Sequence, residues 1–314
     1  MKRVNGIEKV ENAPRYYRYM PLTIDVMVAL ASGKIYMSDP MSLNDPFDVT
    51  PKFSNKGALS KSKKIIELGN SLFGEKYKEL LSEISYSVQG YLYEDDENID
   101  EKELFAKLLA NRIWREVKER QTTKSIVCLS DKWREPLLWS HYADSHKGIC
   151  VEYAWLGNNQ FMKGVSYSDD IEHIDIDLLY RIFIEGSDSD LGKLIDRYYF
   201  TKSKAWAYEN EYRVISETEP NTLQDLPLVP IKIIFGLRTN NVLKDYLYRM
   251  FSDYSNDFPV DFYSLTQIQG YSFDKELYQS DESSYIPFWP REPSVLQAMH
   301  FDNNRASDIE SDFL

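Results

Sequence analysis

Two carboxylates one residue apart, Glu209 and Glu211, sit inside the aromatic run "WAYENEYR" at 206–213. Read as part of a strand, the run points both side chains to one face, where enclosed carboxylates raise each other's pKa. Such a pair can serve as an acid or as a fixed anion that stabilises developing positive charge. Spacing alone does not decide the matter, because Glu-x-Glu recurs at Glu101–Glu103 and Glu217–Glu219. What sets the run at 206–213 apart is its company: Trp206, Tyr208 and Tyr212 offer a low-dielectric wall. Arg213 and Lys204 offer the plainer alternative, structural ion pairs with the same carboxylates.

Three further clusters mix aromatics with charge: "YYRYM" at 16–20, "LNDPFD" at 43–48 and "LWSHYADSHKG" at 138–148. The last holds His141 and His146, two of the four histidines, with no third ligand at metal spacing, so no metal site is expected. Ser140 and His141 are neighbours whose side chains diverge, which argues against a nucleophile–base pair. On its residues alone this stretch reads as an aromatic-lined corner capped by Gly148. Gly-rich phosphate loops and Walker-type lysines are missing from the sequence, so nucleotide binding by those routes has no support.

The elements that must position these clusters follow from periodicity. Residues 21–38 read as a helix stopped by Gly33 and a short strand from Lys34 to Ser38, followed by a proline-rich loop through residue 51. Residues 57–121 carry two amphipathic helical stretches separated by the acidic run "YEDDENIDEKE", a solvated connector; packing on the sheet is the expected role of the helices. From Ser125 the period changes to two in "SIVCLS", "GICVEYAW" and "KGVSYSD". A helical stretch from Leu178 to Lys204 leads into "EYRVIS"; "LVPIKIIFG", the helix "NNVLKDYLYRMFSDY" and a last strand "VDFYSLTQI" follow. Irregular alternation of this kind fits an α+β fold with a mainly antiparallel sheet rather than a doubly wound one. The expected organisation is a single α+β domain over 1–290 with a helical insertion at about 57–121, then a polar, acidic tail at 291–314.

Composition narrows the partners. The formal charge of −13 repels phosphate backbones, so nucleic-acid contact would need a local basic patch. Cys128 and Cys150 each lie in an apolar run and read as buried thiols of a reducing compartment. The N-terminal twenty residues carry no apolar h-region, and no run of ~18 apolar residues occurs, so a cytoplasmic protein without membrane contact is expected.

Taken in order, the four clusters resemble a family of bacterial proteins known as the domain of unknown function 2971. The shared pattern runs through Tyr17-Arg18-Tyr19, Leu43 to Phe47, Trp139 to Ala143 with His146-Lys147-Gly148, and Trp206 to Arg213, spanning about residues 16–240. Leu43 stands where the pattern has Phe, and Arg18 where it has Lys. That layout resembles the ADP-ribosyltransferase fold, a split antiparallel sheet that holds NAD. The resemblance implies that Arg18 contacts the NAD ribose or phosphate and that Tyr36 and Ser38 line the nicotinamide pocket. It makes Glu211 the catalytic glutamate and puts Glu209 where the acceptor is oriented. Tyr19, Trp139, His141 and Tyr142 join the implied NAD-binding set; the Asn44–Asp45 loop either clamps the adenosine side or caps a helix. The implied activity is transfer of ADP-ribose from NAD to a protein or nucleic-acid acceptor, as a toxin or anti-phage effector would perform. An NAD glycohydrolase and a non-catalytic ligand-binding sensor remain open as alternatives, and the oligomeric state is not legible.

Overall fold

The computed structural model describes residues 10–94, 100–121, 124–158, 161–170, 172–254, 260–268, 270 and 272–280. In chain order the first elements are β1 (Arg15–Met20), α1 (Ile24–Ser32), β2 (Ile35–Met37) and β3 (Phe53–Ser54). The helices α2 (Ser62–Phe73), α3 (Tyr77–Glu94) and α4 (Glu101–Gln121) come next, then β4 (Ser125–Ser130), α5 (Pro136–Tyr142) and β5 (Ile149–Trp155). Short strands β6 (Met162–Gly164), β7 (Ser166–Tyr167) and β8 (Ile174–Asp175) precede α6 (Ile176–Phe183), α7 (Asp188–Tyr199) and β9 (Thr201–Lys202). The chain continues through β10 (Glu211–Ser216), β11 (Thr222–Gln224), β12 (Leu228–Phe235), α8 (Asn241–Tyr254), β13 (Asp261–Gln267) and β14 (Phe273–Leu277).

Eight strands form one sheet in the order β14-β13-β12-β5-β1-β4-β10-β6. Every neighbouring pair is antiparallel except β12 with β13, so the expected α+β class with a mainly antiparallel sheet holds. The join between β1 and β4 is the weak point of the sheet. Six residues of β1 pair with β5, but β1 and β4 share a single pair, Tyr17 opposite Ser130. Further along β4, Ile126 instead bridges Ser38, just past β2. The sheet is therefore wedged open between β1 and β4, and that wedge positions the site described below.

The α1 helix starts and stops as its sequence dictates. Thr23 accepts the Val26 N–H at its start, and Gly33 ends it in the left-handed region at φ 67°. The insertion differs from expectation: it holds three helices, and they pack on one another and on α6 and α7 rather than on the large sheet. Their core, with Ile65, Leu109, Ile113, Leu179 and Leu194 fully buried, contains no residue of the eight-stranded sheet. The amphipathic stripes find each other because α6 presents Leu178, Leu179 and Ile182 as a matching apolar face. The stretch expected as one helix from Leu178 is two, interrupted at Gly186, which adopts φ 71°. The short strands β3, β8, β9 and β11 were not expected from the sequence, nor was β14, which extends the large sheet beyond β13.

Residues Met1–Tyr278 form one compact unit. The second unit, Gln279–Leu314, is described only at its first two residues, and the expected tail at 291–314 lies outside the described residues, as does part of the acidic run (95–99). No helix among the described residues is long and apolar enough to cross a membrane.

Candidate functional site

A cavity of about 300 Å³ fills the wedge between β1 and β4. Its wall includes Arg18 and Tyr19 of β1, Ser38 after β2, Asn44 of the following loop, Tyr142 of α5, and both Glu209 and Glu211. Seven of the eleven residues nominated from sequence thus meet around one space. The other four do not line it. Tyr36 points outward from β2, its hydroxyl donating to Asn221, although its carbonyl accepts from the Arg18 guanidinium at 3.0 Å. Trp139 is fully buried, with Nε1–H donating to the Trp133 carbonyl and its ring edge-on to Tyr19. Asp45 caps the turn that follows it by accepting the Phe47 N–H, and it lines a separate cavity of about 370 Å³ beyond the 43–51 loop. His141 is exposed on α5, its ring 6.2–6.5 Å from those of Tyr142, Trp206 and Tyr208.

The stretch carrying the two glutamates is not a continuous strand. Lys204–Glu209 forms a 3₁₀ helix, Asn210 turns through the left-handed region at φ 43°, and β10 begins at Glu211. Asparagine tolerates that conformation, so the turn replaces strand alternation as the device that brings both carboxylates to one place. The turn is pinned by Ser130, whose hydroxyl donates to the Glu209 carbonyl at 2.5 Å, and by Tyr167, whose hydroxyl accepts the Glu211 N–H at 2.8 Å.

The cation between the carboxylates is Lys202, not the Lys204 expected from sequence. Its Nζ lies 2.6 Å from Glu209, 3.2 Å from Glu211 and 3.4 Å from Asp48. Arg213 is completely buried and forks two ways: Nη1 and Nη2 donate to Asp48 at 3.0 and 2.5 Å, Nε and Nη2 to Glu211 at 2.7 and 2.9 Å. Asp48 comes from the "LNDPFD" loop, where Val49 is held at φ 51°. A buried β-branched residue in that region stores about 1–3 kcal/mol of backbone strain, and it is the residue that aims Asp48 inward.

These contacts give the two glutamates different chemistry. Burial raises the Glu211 pKa, but Arg213 and then Lys202 outweigh it and hold the carboxylate at about 2, permanently ionised. Glu209 goes the other way: burial raises its pKa, and Lys202 and Tyr142 only partly offset the rise. Its Oε1 accepts from the Tyr142 hydroxyl at 2.6 Å, and the Asn44 amide donates to that hydroxyl at 3.2 Å. Asn44 and Tyr142 therefore meet the site as a chain leading to Glu209. Arg18, half-buried, has no carboxylate partner among the described residues, and burial lowers its pKa. Cys128 lines the cavity as a free thiol with its pKa raised by burial, while Cys150 is buried in the core. Among the described residues no group of three or more His, Cys, Asp and Glu is placed to hold a metal ion.

Sequence reasoning missed Asp48, Lys202 and Tyr167. Asp48 lay in a quoted cluster; Lys202 follows the aromatic run "YYF" closely, a position where a lone cation must find buried partners. The histidine segment is explained by packing. Asp144, Ser145 and His146 take φ of 46°, 54° and 70°, and a Cβ on Gly148 would stand 2.1 Å from the Met20 carbonyl oxygen. The glycine there lets the chain approach the end of β1 closely just before β5 pairs beside it.

No curated protein and no solved structure matches the chain. Residues 138–214 match the family described as "Protein of unknown function (DUF2971)", the family expected from the motifs. The matched segment runs from α5 into β10, so it carries Tyr142, Lys202, Glu209, Glu211 and Arg213 but neither Arg18 nor the Asp48 loop.

Proposed function

We propose that this protein cleaves the nicotinamide–ribose bond of NAD and passes ADP-ribose to a macromolecular acceptor, on a layout like that of the ADP-ribosyltransferase fold. The observation that carries the reading is the wedge itself. Arg18 on the first strand, Ser38 beyond the second and Glu211 at the opening of a later strand surround one cavity. A volume of about 300 Å³ is at the small end for ligand sites and suits the nicotinamide-ribose end of the substrate.

The charges suit the bond to be broken. As the C–N bond breaks, its electron pair neutralises the pyridinium nitrogen and positive charge develops on the ribose. An ionised Glu211, fixed by Arg213 before substrate arrives, stabilises that charge more than the neutral ground-state ribose. Arg18 has no competing carboxylate among the described residues and offers its guanidinium to the pyrophosphate. Glu209 is the carboxylate whose pKa is raised, and it takes the proton of the acceptor nucleophile as that group attacks the ribose carbon.

Nicotinamide release, followed by mass spectrometry in a lysate that supplies acceptors, tests the reading. Glu209→Gln and Arg18→Met should each lower release by 10²-fold or more. Glu211→Gln is the poorer probe, because it also strips a buried arginine of a partner. Wild-type protein that is folded, binds NAD and releases no nicotinamide would instead establish the second reading, a binding module. One observation favours that alternative: both oxygens of Glu211 are already engaged by Arg213.

A further inference from the structure

A second charged cluster stands on the sheet away from the glutamates. Tyr17, Glu152 and Lys232 lie opposite one another on β1, β5 and β12, so their side chains share one face. Glu152 is buried, and Lys232 donates to both of its oxygens at 3.0 and 3.2 Å. Arg15, two residues before Tyr17 on the same face, brings Nε within 4.0 Å of Glu152, and Lys275 of β14 brings Nζ within 3.9 Å. Three cations thus surround one carboxylate, in a chain whose formal charge is −13.

Two of these cations, Lys275 and Arg15, are held in place without being fully satisfied. Lys275 Nζ sits over Trp133 at 4.4 Å and Tyr263 at 5.0 Å, and its 3.9 Å approach to Glu152 is too long for a hydrogen bond. Arg15 is anchored by Nη2–H donating to the Glu11 carbonyl at 3.0 Å, which leaves Nη1 buried with no hydrogen-bond partner. A buried donor without an acceptor is costly, and such atoms mark places where a partner belongs. Arg134 adds no free charge, since Asp274 takes it at 2.9 Å. Burial lowers the Lys275 pKa, and the neighbouring Lys232 contributes in the same direction. A bound anion would reverse both conditions.

We propose that Arg15, Lys232 and Lys275 form a binding site for a phosphoryl group. A phosphoryl dianion matches the surplus of two positive charges, and its three oxygens match one guanidinium edge and two ammonium groups. The phosphoryl group comes from a free nucleotide, whose terminal phosphate presents three oxygens and two charges, or from a polynucleotide backbone, whose phosphodiester presents two free oxygens and one charge; the surplus of cations favours the first. The site does not depend on NAD cleavage, and its nearest link to the cavity is Tyr17, which lines the cavity and stands beside Glu152.

Calorimetric titration of the whole chain at low salt with pyrophosphate, ADP and a short single-stranded oligonucleotide tests the site. Saturable pyrophosphate binding should weaken about tenfold in Lys275→Met and in Arg15→Gln, and Lys275→Arg should restore it. Tighter binding of ADP than of the oligonucleotide identifies a free nucleotide as the source, and the reverse order identifies a backbone. Pyrophosphate binding that is absent from folded wild type, or unchanged in Lys275→Met, overturns the proposal. So does binding that is lost in Arg18→Met alone, which would move the anion into the cavity.

Discussion

The two charged clusters of this molecule are built on one sheet and are unbalanced in opposite directions. At the β1–β4 wedge three carboxylates, Asp48, Glu209 and Glu211, meet two cations, Lys202 and Arg213, leaving one negative charge in excess. Around Glu152 the count is one carboxylate to three cations. Burial raises the Glu209 pKa at the first cluster and lowers the Lys275 pKa at the second, and the like charge beside each, Glu211 and Lys232, contributes in the same direction. Satisfaction separates them as well. Arg213 spends its guanidinium on Asp48, Glu211 and the Tyr199 carbonyl, whereas Arg15 keeps an unpartnered nitrogen. The first cluster is thus a finished frame that exposes one adjustable carboxylate; the second is a set of donors with more capacity than its one carboxylate takes up.

The sharpest way to break that comparison is to remove the keystone of the finished frame. Arg213→Met leaves Asp48 and Glu211 buried with only Lys202 between them, and should cost about 3–5 kcal/mol in denaturant unfolding. A loss below about 1 kcal/mol would mean that the frame is not what holds β10 to the Asp48 loop. Glu211→Gln, which keeps the shape but gives up the charge, should cost about 2–3 kcal/mol by the same measurement. Glu209→Gln should cost about 1 kcal/mol or less, because that carboxylate already bears a burial penalty when ionised.

The glutamates should also separate in pH. Glu211 is depressed from 4.5 to about 2 in the folded protein, so its contribution to stability is present above pH 4.5 and is lost as pH falls from there towards 2. Glu209 is raised, so it binds its proton more readily folded than unfolded, and its contribution grows as pH falls from its folded pKa towards 4.5. Acid unfolding of wild type and Glu211→Gln should therefore converge only as pH falls to about 2, while they differ at neutral pH. Curves that stay parallel down to that pH would place the charge coupling elsewhere.

Much of this arrangement was legible in the sequence, and what was not has a common cause. Period-two runs and turn residues located β2, β4, β5, β10, β12 and β13, and the aromatic and acidic company of Glu209 and Glu211 singled them out. Hidden were the contacts made across long sequence separations. Asp48 meets Arg213 over 165 residues, and Glu152 gathers Lys232 and Lys275 from strands 80 and more residues further on. Single-residue conformations were hidden too. The left-handed Asn210 changes how the glutamates converge, and nothing in the spacing Glu-x-Glu distinguishes that turn from a strand. The helical insertion misled for a related reason: an amphipathic stripe says that a face is buried, not what buries it.

The smallest effect is the most discriminating test of the second cluster. If Lys275 were a structural partner of Glu152, Lys275→Met would destabilise the protein as other broken ion pairs do. It is instead a surplus cation 3.9 Å away, its ammonium over the Trp133 ring and its pKa lowered by burial. Methionine keeps the apolar contact and removes a charge repelled by Lys232, so thermal unfolding should move by less than about 0.5 kcal/mol in either direction. Lys232→Met, which takes away two hydrogen bonds to Glu152, should cost about 1–2 kcal/mol in the same assay. Equal losses from the two lysines would mean that both belong to the support of Glu152. Unequal losses in the stated order leave Lys275 with no structural work, and an anion is then the partner for which its ammonium is held between two rings.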